Sequence, residues 1–156
     1  MHSLIYYYSL LSILASASIS CTDIYGKRLC CIKHENLTGI LSMLSKSSKH
    51  DGYDGVRIAL NTFGTIIEEL HEYGIITVMV REGDRAGRGY KRLVVIYDLD
   101  IVSKARRCLA SILSRDLINY VEEKMSELKN GNAQRYFNDL SIGRDECIKL
   151  LRRVLS

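Results

Sequence analysis

Apolar positions recur at helical spacing from the start of the chain. Leu4, Tyr8, Leu11 and Ala15 lie on one stripe and predict a first helix. The run 27–33 (KRLCCIK) is short and apolar with basic flanks, and predicts one strand. Asn36 stands where it could cap a second helix, in which Leu37, Ile40, Leu41 and Leu44 follow at i, i+3, i+4 and i+7. Residues 45–55 (SKSSKHDGYDG) are rich in Ser, Gly and Asp and predict a loop. From about residue 57 the pattern sharpens. Ala59, Phe63, Ile66, Ile67 and Leu70 share one helix face, with Asn61, Thr62, Thr65, Glu68 and Glu69 elsewhere and Gly74 placed to end the helix. Then come a β-branched run, 75–81 (IITVMVR), a charged Gly-rich stretch, 82–89 (EGDRAGRG), and a second strand, 90–97 (YKRLVVIY), together a β-hairpin.

Beyond Asp98 the spacing is helical again. Ile101, Ala105, Cys108, Leu109 and Ile112 make one stripe, and Leu117, Val121, Met125 and Leu128 make another. The tetrapeptide 129–132 (KNGN) marks a break, and a last helix takes in Cys147, Leu150, Leu151, Val154 and Leu155. The expected fold is mainly α with a small β-hairpin (α+β), a winged helix-turn-helix followed by C-terminal helices. Residues 1–98 would form the winged helix-turn-helix domain and 99–156 a helical segment whose stripes need a partner, most simply a second copy in a homodimer.

Charge and cysteine content change this picture locally rather than globally. The composition, 47% hydrophobic and 26% charged over 156 residues, is that of a folded chain, and the net charge of +4 is modest. Its placement is uneven: no Lys or Arg precedes Lys27, whereas Arg81, Arg85, Arg88, Lys91 and Arg92 fall close together around the hairpin. The five cysteines form no C-x-x-C repeat and are read mainly as small core residues, with disulfides left open for a hyperthermophilic source. The nearly uncharged segment 4–19 ends in small residues before Cys21, as a secretory leader does. No Lys or Arg leads it, and Ser9, Ser12, Ser16 and Ser18 dilute it, so a folded helix in a cytoplasmic protein is preferred and no membrane partner is expected.

A helix-turn-helix reads base edges through the exposed first half of its recognition helix. With that helix at about 57–73, the reading residues would be Arg57, Asn61, Thr62 and Thr65: Arg suits guanine, Asn adenine, and Thr offers a hydroxyl or a methyl. The wing, about 82–92, carries Arg85 and Arg88 among Gly83, Gly87 and Gly89, with Lys91 and Arg92 on the returning strand, a pattern suited to phosphate or to a narrow minor groove. Each set also reads as an ordinary solvated surface.

The segment 65–98 (TIIEELHEYGIITVMVREGDRAGRGYKRLVVIYD) resembles the C-terminal winged-helix domain of the archaeal origin-recognition initiators of the Orc/Cdc type, with Leu70, Gly74, Ile75, Arg85, Gly87 and Arg88 at matching places. MarR-type and PadR-type repressors share the leucine, the glycine and the basic wing less specifically. The resemblance implies a winged-helix fold that binds double-stranded DNA. Those initiators also carry an ATPase module, and this chain has no G-x-x-x-x-G-K-[ST] loop, which shifts the expectation from replication to transcriptional regulation. A replication-associated DNA-binding protein and a winged-helix protein-interaction module are the alternatives. His2, His34, His50 and His71 form no H-x-x-x-H spacing, Cys30 and His34 fall where a strand is leaving, and the Glu pairs read as solvated helix faces. No enzyme, cofactor or metal site is expected.

Overall fold

A computed structural model of the chain describes residues 4–16, 21–51, 60–81 and 91–155. Among these residues seven helices and four strands follow in the order α1 (Leu4–Ala15), β1 (Thr22–Ile24), β2 (Lys27–Lys33), α2 (His34–Asp51), α3 (Leu60–Glu72), β3 (Thr77–Arg81), β4 (Lys91–Ile96), α4 (Leu99–Ile112), α5 (Arg115–Lys129), α6 (Gln134–Asn138) and α7 (Arg144–Leu155). The architecture is mainly helical with one small four-stranded antiparallel sheet, an α+β arrangement.

Helix α1 is apolar nearly all round, which suits a central position rather than a surface one. Ile5, Tyr8, Leu10, Leu11, Ile13 and Leu14 are all buried. The serines that dilute the segment are compatible with burial because their hydroxyls donate to carbonyls of the preceding turn: Ser9 to Ile5 at 2.8 Å and Ser12 to Tyr8 at 2.7 Å. Around α1 lies one large core containing Leu37, Ile40, Leu41 and Leu44 of α2, Phe63, Ile66 and Leu70 of α3, and Leu99, Val102, Tyr120, Val121 and Leu128 from the helices after Asp98. The apolar stripes of α4 and α5 thus find much of their cover within the same chain.

The sheet runs β1-β2-β4-β3, every pair antiparallel. Strand β1 was not anticipated. It is three residues long and joins β2 through a turn in which Tyr25 and Gly26 have φ of 51° and 78°, a left-handed pair that a tight hairpin requires. Alternation in the two central strands sends successive side chains to opposite faces. Cys30 and Ile32 of β2, with Val94 and Ile96 of β4, enter the large core. Leu29 and Cys31, with Leu93 and Val95, enter a second and smaller core completed by Ile142, Cys147 and Leu151. The two central strands are therefore buried on both sides from Leu29 and from Leu93 onward, which is why they read as unbroken apolar runs. Where β1 ends, the segment before α7 continues the edge of β2: Lys33 N–H donates to Leu140 O at 2.8 Å and Ile142 N–H to Cys31 O at 3.0 Å. That backbone pairing covers an edge that would otherwise stay open.

The expectation that the cysteines serve mainly as small core residues needs correction. Cys30, Cys31 and Cys147 are buried, but Cys21 pairs with Cys30 and Cys31 with Cys147 in disulfides, while Cys108 is free and exposed. Cys30 and Cys31, adjacent in sequence, take different partners because they point to opposite faces of β2.

Three local expectations also change. Helix α2 continues through Lys46 and Ser47 to Asp51 instead of giving way to a loop at residue 45, since Ser and Lys are tolerated in helices and Leu44 and Ser45 remain buried. It begins at His34, so Asn36 lies inside its first turn, where its side-chain amide donates to Asp139 O. On α4 the buried face is Leu99 and Val102, whereas Ile101 is 47% exposed, Ile112 62% exposed and Cys108 exposed. Arg106 explains the rotation. Its Nε donates to Ser12 Oγ at 2.9 Å and Nη2 to Tyr8 Oη at 3.1 Å, and the same guanidinium approaches Glu122 on α5 at 3.4 Å. This clamp turns the Arg106 side of α4, not the Cys108 side, toward α1.

Candidate nucleic-acid interface

Helix α3 is held by its apolar side. Phe63, Ile66, Ile67 and Leu70 are buried, and Tyr7 of α1 donates a hydrogen bond to Glu69 on the flank. Burial, reinforced by that bond to a carboxylate, pushes the Tyr7 hydroxyl up to about 12. The C-terminus closes as predicted on Gly74, which has φ of 75°. Gly74 N–H donates to His71 O at 3.1 Å and Ile75 N–H to Leu70 O at 3.0 Å, the paired bonds of a left-handed helix stop. The glycine then aims the chain directly into β3.

On the outward side of α3, Gly64, Thr65, Glu68, His71 and Glu72 are exposed and Thr62 is half-buried. The first half of this surface is neutral and polar; the second half is acidic. Asn61 lies in the first turn of α3 and Lys91 opens β4. Arg57 falls outside the described residues, as do Arg85 and Arg88 at the predicted wing tip. Strands β3 and β4 do pair as a hairpin ladder, from Thr77 against Val95 to Arg81 against Lys91.

Arg92 is the predicted site residue whose surroundings are most informative. It sits two positions before Val94 on β4, hence on the side of the sheet that faces the helices, and its side chain is exposed. There it lines a cleft of about 400 Å³ bounded by the start of α2, the outer flank of α3 and β3. The structure thus brings Arg92 together with Gly64 and Glu68 of α3. Thr62 and Thr65 are not among the residues lining this cleft.

Two histidines that appeared isolated in sequence meet in the same cleft. His71 Nδ1 accepts the backbone N–H of Val78 at 3.1 Å, tying the end of α3 to β3. His34 Nδ1 lies 3.5 Å from the hydroxyl of Thr38, one turn further along α2. Burial holds the His34 imidazole below its ordinary range, and the nearby Arg92 charge pushes the same way, so at neutral pH the ring is uncharged. No spacing rule could have paired residues 34 and 71; the fold brings them together by packing α2 against α3.

Among the described residues, no group of three or more His, Cys, Asp or Glu side chains is placed to hold a metal ion, and no helix is long and apolar enough to cross a membrane. No protein-family model matches the chain, and no curated protein or solved structure does either.

Proposed function

We propose that this chain is a sequence-specific double-stranded DNA-binding protein, a non-catalytic transcriptional regulator that works as a winged helix-turn-helix. The observation that carries the reading is the arrangement of one helix relative to one hairpin. Helix α3 is anchored through Phe63, Ile66, Ile67 and Leu70, presents a neutral polar first half to solvent, and is followed through Gly74 by the β3–β4 ladder. The strand order β2-β4-β3 supports it further, because the strand preceding α2 pairs with the last strand of the hairpin and locks helix pair and hairpin into one unit.

In this reading Arg57, Asn61, Thr62 and Thr65 address base edges, Arg85, Arg88 and Lys91 address the backbone, and Arg92 steadies the approach from the cleft side. Glu68 and Glu72 repel phosphate and tilt the end of α3 away from the duplex. A homodimer would use the outward stripe of Ile101, Cys108 and Ile112 on α4, since Leu99 and Val102 already serve the chain's own core. The expected compartment is the cytoplasm. Two disulfides are unusual there outside hyperthermophiles, so they bear on the source rather than on the DNA contact.

Replacing Arg85 and Arg88 together with Ala tests the wing. Duplex affinity should fall, and the slope of log K against log salt should flatten by about two, close to one for each lost phosphate contact. An unchanged slope removes the wing from the mechanism and favours a protein partner for the exposed acidic end of α3.

A further inference from the structure

The cleft behind Arg92 combines an apolar floor with one acid and one base that do not pair with each other. Leu41, Ile67, Val78 and Phe63 supply apolar lining, while Arg92 comes from β4 and Glu68 from α3. Neither has a hydrogen-bond or ion-pair partner among the described residues. Gly64 lines the same cleft one turn before Glu68 on α3, and a Cβ there would meet nothing within 4 Å. The glycine leaves this side of the cleft free of a side chain at a helix-interior position where glycine is less stabilising than alanine.

We infer that this cleft binds a free α-amino acid with an apolar side chain. A guanidinium is the best partner for a planar carboxylate, to which it offers two parallel N–H donors. The carboxylate of Glu68 complements an ammonium group, and the apolar walls take the side chain. The two histidines complete the polar rim. His71, with Nδ1 committed to the Val78 N–H, presents its Nε2 proton as a donor, and His34 is held uncharged so that it adds no competing cation. A lone anion would be attracted by Arg92 but opposed by Glu68, and a lone amine the reverse. The zwitterion satisfies both charges. The inference does not rest on what α3 recognises, because the ligand would be bound by the protein alone.

The experiment is a titration of the intact protein, followed by amide NMR shifts at Gly64 and Val78, with three probes sharing one ring: L-phenylalanine, 3-phenylpropanoate, which lacks the ammonium, and 2-phenylethylamine, which lacks the carboxylate. L-Phenylalanine should saturate, and each single-charge analogue should bind about tenfold more weakly or less, the loss of one charge-assisted contact. Arg92→Gln should remove the preference over the amine and leave the preference over the acid, and Glu68→Gln should do the opposite. Both side chains are exposed, so both variants are expected to fold. Equal binding of all three probes would reduce the cleft to an apolar crevice, tighter binding of 3-phenylpropanoate would make it a simple anion site, and no saturation with any probe would remove it; each overturns the inference.

Discussion

The two faces of the β2–β4 ladder are secured by different means. On one face Cys30, Ile32, Val94 and Ile96 meet a broad core built from five long helices, α1 to α5. On the other, Leu29, Cys31, Leu93 and Val95 meet, among the described residues, mainly α7 and the segment leading into it. Area secures the first face, since apolar burial scales with the surface removed from water. The second face has little area to offer, and there the chain places a covalent bond from Cys31 to Cys147, closing a loop of 116 residues. The other disulfide, Cys21 to Cys30, spans only 9 residues and fastens the β1–β2 hairpin at its base. A narrow docking surface is thus combined with the longest covalent closure, which the unfolded chain feels most strongly.

Breaking that closure gives the largest expected effect. In the chain-entropy account, Cys31→Ser with Cys147→Ser should lower stability by about 5 kcal/mol, against roughly 2.5 kcal/mol for Cys21→Ser with Cys30→Ser, because closure entropy grows with the logarithm of loop length. Denaturant unfolding of the two double variants checks the order. Amide exchange should show that the long-loop variant exposes α7 first, and a smaller loss than for the short bridge would contradict the division between the faces.

Truncating side chains sharpens the same comparison at a smaller scale. Ile32→Ala on the broad face should cost roughly 3–4 kcal/mol, as do other fully buried aliphatic truncations. Leu151→Ala, at 5% exposure on the last helix, should cost about 2 kcal/mol, since that site can collapse more easily. Equal losses by thermal or denaturant unfolding would mean that α7 is packed as tightly as the central core.

The smallest effect is a pH dependence located on the broad face. The His34 pKa is lowered from its ordinary value of 6.5, mainly by burial and then by Arg92, so the unfolded chain takes up a proton more readily than the folded one. The stability tied to a neutral His34 is fully present above about 6.5 and declines as pH falls below it toward the folded value. His34→Gln should remove that portion of the decline and leave the part due to carboxylates, Asp139 among them, whose bond to Lys33 holds its carboxyl below the usual range.

Much of this was visible in the sequence, for reasons that separate along the same line. Helices α3, α5 and α7 and the central strands announce themselves through spacing alone, because each buries a clean face or an unbroken run, and Gly74 marks a backbone position that needs positive φ. Long-range pairing was not visible. Nothing local distinguishes Cys30 from Cys31, yet the pleat sends one to each face and therefore to different partners. On α4, Ile101, Cys108 and Ile112 looked like the buried stripe, but Arg106 reaches Ser12 and Tyr8 and fixes another rotation of the helix, a contact across 94 and 98 residues. The cleft shared by His34, Glu68, His71 and Arg92 was illegible for the same reason. Its members come from three elements, and of the four only Arg92 is an expected site residue from the sequence, as part of the basic wing.

The most direct measurement is selection of random duplex DNA by the purified, oxidised protein, with the selected sites titrated against salt. The account predicts an enriched inverted repeat with half-sites about one helical turn apart, roughly 10 bp, and an affinity that falls steeply as salt rises. Absence of duplex binding even at low salt would contradict it and leave α3 and the hairpin as a surface for another kind of partner.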